Sequence, residues 1–116
     1  KSRLEYKKLQ TMFGAFFVKA IFMYFVYIIY STKLDNYYVG TTDDVERRLN
    51  EHNSKKYLDS FTCKGIPWEL KLSYLCDKSD TAYNLERFIK RMKSRKFILK
   101  IIENEAILDD ICENKL

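Results

Sequence analysis

Two tyrosines stand in short apolar triplets on either side of a polar turn in the stretch YFVYIIYSTKLDNYYVG. Tyr27 is the centre of VYI, and Tyr38 opens YVG, which ends at Gly40. Tyrosine is common in strands, so one interpretation is an ordinary β-hairpin, and the other is that two phenols are directed at one place. If Tyr27 pairs with Tyr38 around a turn at residues 31–34, both phenols project from one face of the sheet, about 5 Å apart at Cβ. Gly40 then ends the second strand, where the missing side chain lets another backbone or a ligand approach closely.

The helix that follows this hairpin can bring a guanidinium and an imidazole to the same place. Asp43 is its predicted N-cap, and Glu46 completes a capping-box-like pair. Arg48 and His52 are four residues apart, so they face the same way on the helix. Arg48 suits a phosphate because its fork donates two parallel hydrogen bonds and never deprotonates. His52 can bind a phosphate oxygen or stabilise a leaving group, although a lone histidine is more often a half-buried structural residue.

A carboxylate, Glu86, lies on a second, longer helix that is predicted to begin at Ser79 or Asp80 and to end near Lys93. The buried stripe of this helix is predicted to be Ala82, Leu85, Ile89 and Met92. Mg²⁺ keeps several waters and accepts one or two protein carboxylates, so a single glutamate can hold it. The alternative for Glu86 is a surface ion pair with Lys90, one helical turn further on.

Together these residue types suit the cleavage of a phosphodiester bond. That reaction needs a positioned water, a base for its proton and positive charge on the pentacovalent phosphate. Tyrosine is a poor base at neutral pH because its free pKa is about 10. A neighbouring cation or a metal-bound water must therefore reduce the difference between the pKa of the phenol and that of the group whose proton it takes. Without Arg48 and Glu86, packed strand tyrosines are the better explanation, and with them phosphodiester chemistry is favoured.

The elements that must position these groups form a small α+β domain. An apolar helix at residues 11–22 is followed by the hairpin, which starts at about Met23, and the helix carrying Arg48 ends near Asn53. A third strand is predicted at residues 68–76, with Trp68, Leu70, Leu72 and Tyr74 alternating with polar residues. Ser94 caps a further helix in which Phe97, Ile101 and Ile102 pack. The predicted order is β-β-α-β-α-α after an N-terminal helix, with a small mixed or antiparallel three-stranded sheet flanked by helices.

In order and spacing these residues resemble the GIY-YIG nuclease family. The triplet VYI stands where the family has GIY, and YVG stands where it has YIG. Arg48 in DDVERRLNEHN matches the catalytic arginine of the family, His52 a histidine of many members, and Glu86 in AYNLERFIK the glutamate that binds the metal ion. The resemblance covers roughly Met23 to Glu103. It is strongest to small stand-alone bacterial members and to the nuclease domain of the excision-repair incision subunit.

The resemblance implies a GIY-YIG-like fold and an endonuclease that hydrolyses DNA phosphodiester bonds. It implies a single divalent ion, Mg²⁺ or Mn²⁺, held by Glu86, and one tyrosine, Tyr27 or Tyr38, that takes a proton directly or through water. Catalytic roles would then fall to these three residues together with Arg48 and His52. Which tyrosine is the base stays open.

Two positions depart from the family pattern. Val26 replaces the leading glycine of GIY, which many members tolerate. Thr41 stands where some members carry a lysine three residues after the YIG tyrosine. If that lysine lowers a tyrosine pKa, its role is left to Arg48, to Arg47 or to no residue. A catalytically weak or inactive nucleic-acid-binding module with the same fold is therefore the alternative function.

The charge distribution indicates an anionic partner. The chain has a net charge of +5, and seven basic residues face one acid between Tyr83 and Lys100, whereas five acids follow from Glu103 onward. A solvated helix face is the competing explanation. As DNA-binding residues the sequence indicates Arg47, Lys55, Lys56, Arg87, Lys90 and Lys93. Such contacts would hold the backbone with steep salt dependence and little sequence specificity, so any selectivity would be for DNA structure, as in repair.

Cysteine and histidine usage argues against disulfide and metal frameworks. Cys63, Cys76 and Cys112 are far apart without a CxxC motif, which argues against a disulfide framework and a structural zinc site. With a single histidine, no metal site that needs two of them can form. Free thiols fit a reducing compartment, so we expect a cytoplasmic protein.

An apolar run of 20 residues, Thr11 to Tyr30, contains one charge, Lys19, and is long enough for a membrane span. Its second half is β-branched and aromatic and is followed by a polar turn, which favours a buried strand, so a membrane-anchored protein is the outside alternative. We therefore expect an N-terminal extension at residues 1–22, a nuclease domain at 23–103 and an acidic tail at 104–116.

Overall fold

An antiparallel three-stranded sheet and four α-helices make up residues 23–55 and 61–116, the part of the chain that this computed structural model describes. The elements are β1 (Tyr24–Ser31), β2 (Asn36–Thr42), α1 (Val45–Asn53), a 3₁₀ helix (Phe61–Gly65), β3 (Trp68–Cys76), α2 (Ser79–Met92), α3 (Arg95–Glu103) and α4 (Ala106–Asn114). The predicted α+β class with a small sheet flanked by helices is confirmed. The helix predicted at residues 11–22 lies outside the described residues.

Strand β1 is the centre of the sheet, with β2 and β3 paired antiparallel on either side. Because helices cover both faces of β1, residues 26–29 are all buried, which explains their unbroken apolar character. The apolar run Thr11 to Tyr30 therefore does not form one membrane-spanning helix, since its last seven residues belong to β1. Within the described residues, no helix has both the length and the apolar character that a bilayer crossing requires.

The register of the hairpin differs from the prediction by two residues. Tyr27 pairs with Gly40, and Tyr38 pairs with Ile29, so the proposed pairing of the two tyrosines is wrong. The turn occupies residues 32–35, where Asp35 adopts a left-handed conformation at φ 50°. Since a shift of two residues preserves the face, both phenols still project from the same side of the sheet as diagonal neighbours. Gly40 does not end the strand either, because β2 continues to Thr42.

Strand β3 changes face at a β-bulge. Its pairing with β1 slips by one residue at Lys71, so Trp68 and Leu70 lie on the face of the sheet that carries Tyr27, whereas Leu72 lies on the other. The predicted alternation that placed all of these apolar residues on one face is therefore wrong, and Leu70 is 38% exposed. The bulge matters for the site because it brings the Trp68 ring to the tyrosine side.

The two faces of the sheet have different partners. Helices α2, α3 and α4 cover one face, in a cluster built on Val26, Ile28, Val39, Leu72, Tyr74, Ala82, Leu85, Ile89, Ile101, Leu108 and Ile111. The Tyr74 hydroxyl donates to the Asp109 carboxylate at 2.6 Å, which links β3 to α4. Helix α1 covers the other face, where Val45 and Leu49 pack on Tyr27, Ile29 and Trp68. The candidate site lies on this second face.

Two helix ends differ from the sequence prediction. The N-cap of α2 is Lys78, without a side-chain cap, rather than Ser79 or Asp80. Met92 was predicted to be buried, but it is 46% exposed because it is the last residue of α2, next to the left-handed C-cap Lys93. The predicted cap Ser94 of α3 is confirmed, since its hydroxyl accepts from the Phe97 amide.

The N-cap of α1 is Asp44 rather than Asp43. The Asp44 carboxylate accepts from the Arg47 amide at 3.0 Å, whereas Asp43 pairs with the exposed Arg47 side chain. The predicted capping box with Glu46 is therefore wrong by one residue.

We expect Asp44→Ala to lower the free energy of unfolding by about 1 kcal/mol, because a backbone donor loses its partner. The matched variant Asp43→Ala should cost less than about 0.5 kcal/mol, since it removes only an exposed ion pair. Urea unfolding of both variants measures the difference, and equal losses would contradict the assignment of the cap.

Candidate active site

The phenol of Tyr27 is buried over a glycine. Tyr27 is 2% exposed, and a Cβ built on its partner Gly40 would lie 2.5 Å from the Tyr27 Oη. Any side chain at position 40 would therefore occupy the space of the phenol. The sequence predicted close approach at Gly40, and the group that approaches is the Tyr27 ring.

The Tyr27 hydroxyl connects to two side chains of α1. It lies 2.9 Å from the His52 Nε2, and the Arg48 guanidinium acts on the same phenol through its positive charge. Burial raises the pKa of Tyr27 to about 12, and the charge of Glu86 adds to the rise, whereas Arg48 opposes it. Tyr27 is therefore neutral at physiological pH and has a proton to donate to His52.

His52 is neutral for a related reason. Burial lowers the pKa of His52 to about 4, and the positive charge of Arg48 adds to this effect. Its Nδ1 has no hydrogen-bond partner among the described residues, so the contact of Nε2 with Tyr27 is the polar contact that orients the ring. We infer that Tyr27 donates its proton to Nε2, because the phenol is protonated and a neutral imidazole can accept at this nitrogen.

Arg48 is held between the phenol and a carboxylate. Its Nη1 donates to the Glu51 Oε1 at 3.0 Å, and its side chain is 28% exposed. Burial alone would lower the pKa of Arg48, but the hydrogen bonds to Glu51 and Tyr27 raise it above its ordinary value. The guanidinium is therefore a fixed positive charge that is partly open to solvent.

Tyr38 completes this face beside the first phenol. Its ring centroid lies 6.3 Å from that of Tyr27, 5.0 Å from that of His52 and 6.2 Å from that of Trp68. The Lys90 ammonium lies 6.0 Å from the centroid of the Tyr38 ring, which connects this face to α2. The structure thus brings Tyr27, Tyr38, Arg48 and His52 together.

Glu86 lies on α2, and its charge acts on the Tyr27 phenol. Its Oε2 accepts from the Lys90 ammonium at 2.7 Å, and its side chain is 19% exposed. The described residues contain no cluster of three or more histidine, cysteine or acidic side chains that could hold a metal ion by themselves. One accessible carboxylate is nevertheless a suitable ligand for a hard cation whose other positions are filled by water and phosphate oxygens. The donor set therefore fits Mg²⁺ or Mn²⁺ at Glu86, provided that Lys90 releases one oxygen.

The cationic residues predicted to bind DNA do not share one surface. Lys90 and Lys93 line a groove beside Tyr38, whereas Arg87 lines a separate cavity with Arg91 near the C-terminal end of the chain.

The other predicted cations lie on or after α1. Arg47 is about half exposed and pairs with Asp43 at 2.9 Å. Lys55 is exposed and adopts a left-handed conformation at φ 60°, and Lys56 lies outside the described residues. Arg47 therefore points to solvent while its neighbour Arg48 points to the phenol.

Sequence reasoning missed two residues that hold the site in place. Glu51 fixes the Arg48 guanidinium, and its position three residues after Arg48 is the signal that could have revealed it. The Asn53 amide donates to the Trp68 carbonyl at 3.0 Å and accepts from the Trp68 amide at 2.6 Å, which fastens the end of α1 to β3. No spacing rule predicts this second contact, because it depends on the fold.

The buried histidine makes stability depend on pH. His52 has a pKa of about 4 in the folded chain against 6.5 for a free side chain, so the unfolded state binds the proton more readily between these values. The contribution of the neutral His52 to the free energy of unfolding is therefore fully present above pH 6.5, and it is lost as the pH falls towards 4. We expect a loss of about 1–2 kcal/mol over this interval, allowing for solvent screening.

Urea unfolding at several pH values checks this expectation. Because His52 is the only histidine in the chain, the variant His52→Gln removes the imidazole titration altogether. The variant should show a smaller slope between pH 6.5 and 5 than the wild type. Equal slopes would mean that His52 is not a buried neutral group.

Comparison with known proteins assigns the chain to a family. A family model described as the GIY-YIG catalytic domain matches residues 23–98. A "UPF0213 protein" of Vibrio campbellii is 35% identical over 82 residues, which are 71% of this chain and 77% of the relative. A "UPF0213 protein YsiG" of Lactococcus lactis subsp. lactis is 33% identical over 90 residues, which are 78% and 85% of the two chains. No solved structure matches. The match includes the hairpin, α1 and α2 with the residues described above, and the chain belongs to the GIY-YIG family, whose catalytic domain is a nuclease fold.

Proposed function

We propose that the protein is an endonuclease that hydrolyses DNA phosphodiester bonds with one divalent ion, Mg²⁺ or Mn²⁺. The observation that supports this most is the Tyr27 phenol, which is hydrogen-bonded to the neutral His52 and feels the positive charge of Arg48 on the face that also carries Tyr38. A merely structural tyrosine does not need a proton acceptor on its hydroxyl and a cation nearby. The family supports the nuclease class, and the chemistry of these residues supports the rest of the proposal.

In this proposal Tyr27 moves the proton. A water that attacks the phosphorus must lose a proton, and a phenol can accept it only while it passes its own proton on. His52 Nε2 lies 2.9 Å from the Tyr27 oxygen and is unprotonated, so it can accept that proton as the phenol takes the proton of the water. The guanidinium of Arg48 stabilises the transient phenolate. Tyr38, which is less buried, forms the wall against which the water and the phosphate are oriented.

Arg48 has a second role towards the phosphate. Its guanidinium is partly exposed and is already oriented by Glu51, so little freedom is lost when it donates to a phosphate oxygen. A preorganised donor of this kind stabilises the negative charge that develops in the transition state.

Glu86 would hold the divalent ion. Such an ion supplies Lewis-acid stabilisation of the phosphate and of the leaving oxygen. Lys90, which now pairs with Glu86, is free to turn towards a neighbouring phosphate when the carboxylate binds the ion. Weak sequence specificity follows from cations that contact the backbone alone.

A nucleic-acid-binding module without catalysis is the second candidate. It is favoured by Thr41, which lies on β2 where some family members carry a lysine, and by the ion pairs that engage both Arg48 and Glu86. Binding that decreases with salt, without cleavage of any substrate, would support this candidate over the nuclease.

A cleavage assay on duplex and branched DNA tests the proposal. Wild-type protein should cut with Mg²⁺ or Mn²⁺ and stop when EDTA removes the ion. Glu86→Gln should lower the rate by about 100-fold or more, because the carboxylate charge at the metal ligand is lost. Glu103→Gln, a matched change at an exposed residue of α3, should cut as the wild type does. Equal cleavage by all three proteins would identify a contaminant and refute the site.

A further inference from the structure

A groove beside Tyr38 has no assigned role in the proposed reaction. It has a volume of about 340 Å³ and lies between the edge strand β2 and the junction of α2 and α3. Buried and half-buried apolar side chains form its floor, namely Val39, Ile89 and Ile98. Exposed cations form its rim, namely Lys90, Lys93 and Arg95.

The three cations of the rim are not equivalent. Arg95 is fixed, because its guanidinium donates to the carbonyl of Asp35 at 2.9 Å and to the Asp35 carboxylate at 2.7 Å. Lys90 is paired with Glu86. Within residues 23–55 and 61–116, Lys93 forms no ion pair, and its left-handed backbone at φ 47° places it at the bend between α2 and α3. Lys93 is therefore the rim cation that is available to pair with an anionic ligand.

An apolar floor with a cationic rim matches one class of ligand. A nucleotide presents an aromatic base at one end and a phosphate at the other, and a groove of this size is at the lower end of the range for small-molecule sites. The wall of the groove is an aromatic ring, Tyr37, which packs 4.7 Å from the Tyr30 ring and carries the Arg95 guanidinium 5.3 Å above it. Because Tyr30 and Arg95 already contact this ring, a base that enters the groove would pack mainly on the apolar floor, which accepts any base.

We propose that this groove binds one unpaired nucleotide of the strand whose phosphate lies at Tyr38. The inference rests on the proposed function for its link to cleavage and goes further by naming the substrate class, DNA with a single-stranded segment beside the cleaved bond. A base within a duplex is stacked and paired, so it cannot enter a groove between a strand edge and two helices without leaving the helix. Selectivity for branched DNA then follows from the shape of the groove.

Binding experiments test this inference without cleavage. Fluorescence anisotropy is measured in EDTA with a short labelled single strand, the same strand with abasic sites, and a blunt duplex of equal length. The single strand should bind at least about fivefold more tightly than the abasic strand, since the packing of a base in the groove is lost when the bases are absent. It should also bind more tightly than the blunt duplex.

A pair of lysine variants locates the site. Lys93→Gln should weaken the binding of the single strand and reduce its salt slope by about 1, whereas Lys100→Gln, an exposed lysine of α3, should leave both unchanged. Equal binding of the intact and abasic strands, or of strand and blunt duplex, would overturn the inference, as would equal effects of the two variants. Because no step needs catalysis, the groove can be supported even if the cleavage assay fails, and it can be refuted even if that assay succeeds.

Discussion

Replacing Arg48 by alanine is expected to slow cleavage by about 10²- to 10³-fold, equivalent to about 3–4 kcal/mol in the barrier. In the proposed reaction the guanidinium would have two functions that no neighbour can supply, because its charge favours the Tyr27 phenolate and it would also donate to the phosphate. The measurement is the single-turnover rate on a branched DNA at saturating protein. Circular dichroism should show that the variant remains folded.

The neighbouring arginine offers a matched control. Arg47 carries the same charge one residue earlier on the helix, but it is 53% exposed and pairs with Asp43. Arg47→Ala should change the maximal rate by less than about threefold, with any effect confined to DNA affinity and its salt dependence. If the two variants lose activity equally, the loss reflects charge alone, and the position of Arg48 against the phenol has no catalytic meaning.

The second large effect is expected from one methyl group at Gly40. A Cβ at this position would lie 2.5 Å from the Tyr27 Oη and 2.7 Å from Cζ, closer than any real contact, so the phenol must move. The ring is packed under α1 and cannot shift without breaking its 2.9 Å contact with His52. We expect Gly40→Ala to cost about 1–3 kcal/mol of stability and to remove most of the cleavage activity, even well below the melting temperature.

A variant at a second glycine distinguishes a loss of packing from a loss of the contact between Tyr27 and His52. A Cβ at Gly65 would also collide with an aromatic ring, that of Trp68, but it would leave the contact between Tyr27 and His52 in place. Gly65→Ala should therefore lower the melting temperature by a similar amount while keeping much more of the activity. Full activity and stability in Gly40→Ala would show that the phenol does not depend on the space above residue 40.

Local pattern was enough to predict the elements but not their exact pairing. The third strand and the Ser94 cap follow directly from local sequence signals, and the structure agrees with them. The pairing of Tyr27 with Gly40 was missed because the left-handed Asp35 moves the turn, and no alternation of residues reveals one such backbone angle. The bulge at Lys71 was missed for the same reason, since an inserted residue changes the face without changing the composition.

The candidate site shows the same division. The spacing of Arg48 and His52 on one helix placed them on a common side before any fold was considered. The hydrogen bond between Tyr27 and His52, and the approach of Lys90 to Tyr38 from another helix, depend on how elements that are distant in sequence pack together. Sequence spacing could name these residues, but only the packing shows that the imidazole faces the phenol.

A single titration tests most directly whether these groups serve one phosphodiester. Isotope-labelled protein is titrated with a branched DNA in Ca²⁺, and the NMR signals of the Arg48 Nε–H, the Tyr38 ring and the Glu86 amide are followed together. If one phosphate and one cation occupy this face, all three signals shift along a common saturation curve. If they remain still while the signals of Arg87 and Arg91 move, DNA binds on the separate surface near the C-terminal end of the chain, and the proposed active site is wrong.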